Sequence, residues 1–247
     1  MGSTNLPRSG DDPMEERRKE RPVADLDKAT ILITGATDGL GWRIARDLPA
    51  SEATIPLVAR PRREARRDHG ARDREKTNNE KLRYYLADLS SLDEVRRLAE
   101  EVRADYDRLV ILINNARVFV RERAISRDGH ELTFAVNYLA PFLLTHLLVP
   151  LLRSRTRDHN VASAGQSPVS FYEPVLERGC DGIRGYARST LALSPFTFEL
   201  AGQLEGAGVA TKFLHPATLM GTNDAQILHT TNLSEEKPSR RLHLTGR

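Results

Sequence analysis

Four short runs of β-branched and leucine residues punctuate the first half of the chain, at residues 30–34, 53–60, 82–88 and 109–115. Each is too short for a helix and is followed by a turn or polar stretch, so each predicts a strand. The run at 109–115 is almost wholly apolar, as a strand covered on both faces should be. Pro56 sits inside the second run and removes a donor that an interior strand would use. Between the runs the period changes to that of helices. Residues 42–48 open one, and Ser91-Leu92-Asp93-Glu94 caps an amphipathic one running to about residue 106. A long helix or broken helix pair is predicted over 131–153. Residues 159–163 predict a short fifth strand, 186–204 a helix, and 209–214 a sixth strand. Strand and helix alternate throughout, which predicts an α/β Rossmann-like three-layer fold around a parallel sheet of about six strands.

The first βα junction carries the most chemistry. Thr34-Gly35-Ala36-Thr37-Asp38-Gly39-Leu40-Gly41 places three glycines between a buried strand and a helix N-terminus. Glycines let the backbone approach an anion, and the helix amides and dipole then face a phosphate. The spacing Gly-x-x-x-Gly-x-Gly differs from the commoner Gly-x-Gly-x-x-Gly fingerprint, and an ordinary glycine-rich turn remains an alternative at this point. Ligands of such sheets bind beyond the carboxyl ends of the strands, where Thr34-Gly35, Arg60, Asp88, Asn114-Asn115 and Ser163 all fall.

Composition narrows the picture. A chain of 247 residues, 39% hydrophobic, holds one sizeable core. Residues 1–28 mix Gly, Ser, Pro and charges of both signs and predict a disordered tail, leaving 29–247 as one domain. The single Cys180 excludes an internal disulfide framework, and no apolar signal-peptide core opens the chain, so a cytoplasmic location is expected. The seven histidines show no metal-ligand spacing, and no metal is expected. The apolar run 139–152, interrupted by Pro141, His146 and Pro150, is too short to span a bilayer and predicts a buried helix. Residues 60–81 carry nine Lys/Arg against five Asp/Glu, without aromatics interleaved. That reads as a solvated segment beside a cofactor phosphate and not as a nucleic-acid surface.

Taken together, Thr34 to Gly41, Asp88-Leu89, Asn114-Asn115-Ala116, Asn137, Ser163 and Tyr186 occur in the order found in the short-chain dehydrogenase/reductase family. Over residues 29–222 the chain resembles that family, in particular its carbonyl reductase and retinol-dehydrogenase-like branch. The resemblance implies that Thr34, Gly35, Asp38, Gly39, Leu40 and Gly41 form the pyrophosphate turn. It implies that Asp88 and Leu89 flank the adenine, and that Asn114 and Ala116 support the ribose side. Pro216 and Thr218 would begin the loop below the nicotinamide, and Thr190 occupies a ribose-contacting position. Arg60 stands where the adenosine 2′ position should lie, with no acidic residue to bind a free hydroxyl, which favours NADP(H) over NAD(H). The implied reaction is hydride transfer between nicotinamide and a small carbonyl or alcohol substrate. Tyr186 would be proton donor or acceptor, Ser163 would orient the substrate oxygen, and Asn137 would support a water relay. A homodimer or homotetramer is the family's expected assembly.

The chain also departs from the pattern. The family's Tyr-x-x-x-Lys reads Tyr186-Ala187-Arg188-Ser189-Thr190. Residues four apart share a helix face, so the lysine normally stands beside the phenol, and a threonine cannot supply its charge. Arg184 and Arg188 are not convincing substitutes on helical spacing. Weakened catalysis is expected, with Thr190→Lys raising the rate and with Asn137 deprived of its relay partner. Arg117 replaces the glycine after Asn114-Asn115-Ala116 and is expected to crowd the nicotinamide region. Pro195 is expected to interrupt the helix after Tyr186, at about 3 kcal/mol if the helix continues. Residues 234–247 offer no seventh strand, so the sheet is expected to lack its C-terminal strand. Two functions remain open from the sequence: an oxidoreductase with altered catalysis, or an inactive nucleotide-binding protein acting through a partner.

Overall fold

The computed structural model describes residues 28–48, 53–60, 79, 81–161 and 182–214. The tail expected over 1–28 (apart from Lys28), the 215–247 segment and the candidate site residues Ser163, Pro216 and Thr218 lie outside these residues. The described elements are β1 (Ile31–Thr34), α1 (Gly39–Asp47), β2 (Ile55–Ala59), β3 (Leu82–Leu86), α2 (Leu92–Asp105) and β4 (Leu109–Asn114). There follow α3 (Leu132–Phe134), a π-helical turn at Ala135–Leu139, α4 (Ala140–Leu148), β5 (Leu152–Val161), α5 (Gly182–Leu204) and β6 (Ala210–Leu214).

All six strands pair in parallel in the order β3-β2-β1-β4-β5-β6. Alternation along β1 explains how the layers form. Leu32 points into a core shared with α2, α4 and α5, whereas Ile31 and Ile33 point to the other face and its Ala45 on α1. Both faces of the central strands are therefore covered, which is why these strands read as unbroken apolar runs. The chain reverses its direction of sheet growth between β1 and β4, and at that point the carboxyl ends of the strands open a crevice.

Several elements differ from expectation for physical reasons. Pro56 lies in interior β2, but the β1–β2 ladder registers at Ile33–Leu57 and Thr34–Val58, with a bridge at Thr30–Thr54, and skips the proline. Strand β5 begins at Leu152 and not at 159. Its polar sequence hides it, because pairing to β4 on one edge and β6 on the other holds it where apolar burial does not. Helix α5 begins at Gly182, a turn before Tyr186, and runs through Pro195 without ending. The Thr197 hydroxyl donates to the Leu193 carbonyl at 2.6 Å in the turn around that proline. Ser91 occupies the N-cap of α2 with no side-chain cap bond; the Asp128 carboxylate accepts from the Leu92 amide at 2.6 Å in its place.

The helical stretch around α4 falls where a long or broken helix is expected, over 131–153, running from Leu132 to Leu151. It starts at Leu132 because the Glu131 carboxylate accepts from the Thr133 and Phe134 amides, both at 2.8 Å. Residues Leu132–Leu151 form a 20-residue stretch of mean hydropathy 1.6, long and apolar enough to cross a membrane by length and composition. Half of it is buried inside the protein, with Ala140, Leu144, Leu148 and Leu151 in the core against α2 and α5.

Candidate active site

The glycine turn is shaped by close approach. Gly35 has φ +67°, and a Cβ there would lie 2.6 Å from Ala116 Cα; a Cβ on Gly41 would lie 2.5 Å from the Gly35 carbonyl oxygen and from Asn115 Nδ2. Gly39 also has positive φ, 62°, where it opens α1. Asp38 caps that helix, its carboxylate accepting from the Gly39 amide at 2.7 Å, and Leu40 follows in the first turn. The N-terminus of α1 thus opens onto the rim through a tight turn with glycines at its points of closest approach, the local form that suits a pyrophosphate.

Thr34 and Asn115 lock this turn to the end of β4. The Thr34 hydroxyl accepts from the Asn115 and Ala116 amides, both at 3.0 Å. Asn115 Nδ2 donates to the carbonyls of Thr34 and Gly35, both at 3.0 Å. Thr34, Leu89, Asn114 and Ala116 then line a cleft with Val136, Ala140, Pro141 and Leu144. Gly35→Ala is accordingly expected to cost about 1–3 kcal/mol, since both φ and the Ala116 backbone oppose the added methyl. Urea denaturation checks this, and unchanged stability would mean that the turn is looser than its contacts imply.

At the far side of the rim, Arg60 is exposed just past β2, and its charge reaches Asp88 beyond β3. Partial burial works to raise the Asp88 carboxyl. It is outweighed by the Ser90 hydroxyl and amide, at 2.7 and 3.0 Å, and by Arg60 and Arg127, so the group sits below the ordinary carboxylate range.

The second cluster forms around the loop after β4. Asn137, 1% exposed on the π-helical turn, clamps this loop: its Oδ1 accepts from the Val118 amide at 2.8 Å, and its Nδ2 donates to the Val118 carbonyl at 3.0 Å. The same Nδ2 reaches the Ser189 hydroxyl at 3.1 Å, and that hydroxyl donates to the Tyr186 carbonyl at 2.8 Å. Asn137 thus ties the loop after β4 to α5, because the π-helical turn aims its amide at both.

Held between Ala116 and Val118, Arg117 turns onto α5. One guanidinium nitrogen donates to the Val161 carbonyl at 2.6 Å, and another donates to the Thr190 hydroxyl. Its guanidinium carbon lies 5.1 Å from the centroid of the Tyr186 ring, which also meets Phe119 edge-on at 5.9 Å. This corrects the expectation that Tyr186 lacks a cationic neighbour. The charge comes from a loop distant in sequence, where helical spacing within α5 could not reveal it. Thr190 is fully buried and bonded to that arginine. The sequence marked Arg117 as an intrusion and passed over Ser189 as a site-builder. The missing glycine after Asn114-Asn115-Ala116, coinciding with the missing lysine at 190, was the signal for a paired change.

A glycine turn at a switch point, with a tyrosine-bearing helix packed across the same rim, defines a doubly wound, nucleotide-binding type of α/β protein. The model of the short chain dehydrogenase family matches residues 29–231, and the chain belongs to that family. It is 34% identical over 213 residues to retinol dehydrogenase 14 of Mus musculus, covering 81% of this chain and 64% of that protein. It is 36% identical over 203 residues to dehydrogenase/reductase SDR family member 13 of Bos taurus, covering 79% and 53%. The chain thus spans less than two thirds of the length of these curated relatives. Among solved structures, a protein from Mycobacterium paratuberculosis superposes with TM-score 0.68 at 29% identity, covering 80% of this chain and 72% of that one. The NADP active-site complex of Pseudomonas aeruginosa RhlG gives 0.64 at 26%, covering 84% and 78%.

Proposed function

We propose that the protein reduces an apolar carbonyl compound with NADPH, or oxidises the corresponding alcohol with NADP. The observation that carries this reading is Tyr186 facing a bound guanidinium across the same strand-end rim as the glycine turn. The glycine turn and the N-terminus of α1 would hold the pyrophosphate, Arg60 a 2′-phosphate, and Leu89 and Ala116 the walls of the nucleotide cleft. Bound there, the dinucleotide supplies a hydride. The chain's part is to donate a proton from the Tyr186 hydroxyl to the substrate oxygen and to keep water from the apolar side of the cleft. Ser163 belongs to the proposal as the second hydroxyl at that oxygen. The retinol dehydrogenase relatives and the NADP complex of RhlG support an apolar alcohol or aldehyde and the phosphorylated dinucleotide. Assembly into a homodimer or homotetramer is part of the same reading, supported by Phe198 and Phe142, which are 73% and 38% exposed on α5 and α4.

Arg60 makes the cofactor choice testable. An exposed guanidinium contact to a phosphate is worth on the order of 1–2 kcal/mol, so NADPH should bind about tenfold more tightly than NADH, and Arg60→Ala should remove most of that margin. Nicotinamide fluorescence titration measures both, and equal affinities in the unaltered protein would overturn the NADP assignment. Turnover is then read with decanal and all-trans-retinal. Tight NADPH binding with no turnover of either would favour an inactive nucleotide-binding protein, the reading suggested by Thr190 in place of lysine.

A further inference from the structure

We propose that Arg117 is the positioning residue of Tyr186: one guanidinium, fixed between β5 and α5, holds the tyrosine ring and places beside it the positive charge that Thr190 cannot supply. The inference rests on the reading of Tyr186 as the proton donor, and it is built from contacts that span four segments of the chain.

The arginine is held before any ligand arrives. Its backbone is pinned on one side by the Ala116 amide on Thr34 and on the other by the two Val118 bonds to Asn137. Its side chain is pinned by the Val161 carbonyl at the end of β5 and by the Thr190 hydroxyl on α5. A planar guanidinium can make two directed bonds and still lie against an aromatic face, which an ammonium cannot do as well. That is the arrangement seen here, with the ring centroid 5.1 Å away and Phe119 bracing another side of the ring. Thr190 and Arg117 therefore read as one paired change: the short hydroxyl leaves room for the guanidinium and anchors it.

The chemical consequence follows from charge balance. In reduction, an electron pair and hydrogen pass as hydride to the carbonyl carbon, and the Tyr186 proton passes to the carbonyl oxygen, so the phenol is left negative. A cation held beside it before the reaction offsets that charge without reorganisation during the step. Among the described residues, the charged group recorded against the Tyr186 ring from another element is Arg117; Arg184 and Arg188 lie on the tyrosine's own helix. The expectation that Thr190→Lys would accelerate the reaction is reversed by this geometry. A lysine at 190 would bring a second cation against the first in a fully buried position.

The test uses the full chain with NADPH and decanal, and a readout that needs no turnover. Arg117→Met is expected to lower kcat about 10- to 100-fold with KM changed less than about threefold, whereas Arg117→Lys retains more of the rate. Thr190→Lys alone should lose activity, and Arg117→Gly combined with Thr190→Lys should recover about tenfold over Arg117→Met. In parallel, the ring carbon NMR signal of Tyr186 in protein carrying carbon-13 tyrosine, assigned by its loss in Tyr186→Phe, reads how the ring is held without turnover. It should shift in Arg117→Met and much less in Arg117→Lys, with thermal melts confirming that both variants fold. Unchanged kcat and an unmoved Tyr186 signal in Arg117→Met would overturn the inference while leaving the proposed function standing. A shifted signal in a protein that binds NADPH but turns nothing over would leave Arg117 holding the ring and overturn the proposed function.

Discussion

Tyr186→Phe is expected to reduce carbonyl turnover roughly a hundred- to ten-thousand-fold while leaving NADPH affinity within about threefold, because it removes the proposed proton donor and little else. The ring is what the surrounding structure holds. Phe119 packs against it edge-on and the Arg117 guanidinium lies 5.1 Å from its centroid, and both contacts are open to a phenylalanine. The anchoring bond of this turn of α5 uses the Tyr186 carbonyl and the Ser189 hydroxyl, which the substitution does not touch. The variant should therefore fold and bind nucleotide normally, so its deficit reports the hydroxyl alone. Steady-state reduction of decanal, set beside a fluorescence titration with NADPH, makes the measurement. A rate within twofold of the unaltered protein would mean that the proton comes from elsewhere on the rim.

What could be read in advance tracks how local each determinant is. The glycine turn and its flanking strand were legible because φ freedom, apolar burial and the helix start all lie within residues 30–48. Interior strands were legible because helices cover both faces, so β1 and β4 have no polar alternation to confuse the pattern. Strand β5 was only half legible. Its Thr156, Asp158 and Asn160 are buried polar groups that satisfy one another and their neighbours, and nothing in the local pattern distinguishes such a strand from a loop. The continuity of α5 past Pro195 is likewise a tertiary result, since packing of Leu193, Phe196 and Leu200 in the core outweighs one missing backbone bond. The cation at Tyr186 was the least legible of all. Arg117 and Thr190 are 73 residues apart in the chain, and only the fold brings the end of β4 against the middle of α5.

Asp158→Asn is expected to stabilise the protein above neutral pH by as much as about 4 kcal/mol, an effect that fades as the pH falls toward 4. Asp158 is fully buried in β5, in register with Leu112 of β4 and Thr211 of β6. Burial pushes its carboxyl up to about 7, against a smaller opposing pull from the Asn160 amide, which donates to it at 3.1 Å. Between about 4 and 7 the folded chain therefore holds a proton that the unfolded chain releases. Stability linked to this group is present below the unfolded value and is lost as pH rises through 7. His159 acts oppositely: burial first, then Lys212 and Arg157, lower it to about 4, so it costs stability as the medium becomes acidic. Only the difference between variant and unaltered protein isolates Asp158. Asn114 Nδ2 faces three acceptors, Thr145, Asn160 and Asp158 at 2.9, 3.0 and 3.3 Å, with two hydrogens to give, while the Asn114 Oδ1 is buried without a hydrogen-bond partner among the described residues. An amide in place of the carboxylate removes the buried charge at the cost of one of the two bonds that the Asp158 oxygens accept, from Asn114 and Asn160, so about 4 kcal/mol is the upper bound of the gain. Thermal or urea unfolding at pH 8 and pH 5 should give a large gain at the first and a small one at the second. A gain of equal size at both would mean that packing, and not ionisation, sets the cost of Asp158.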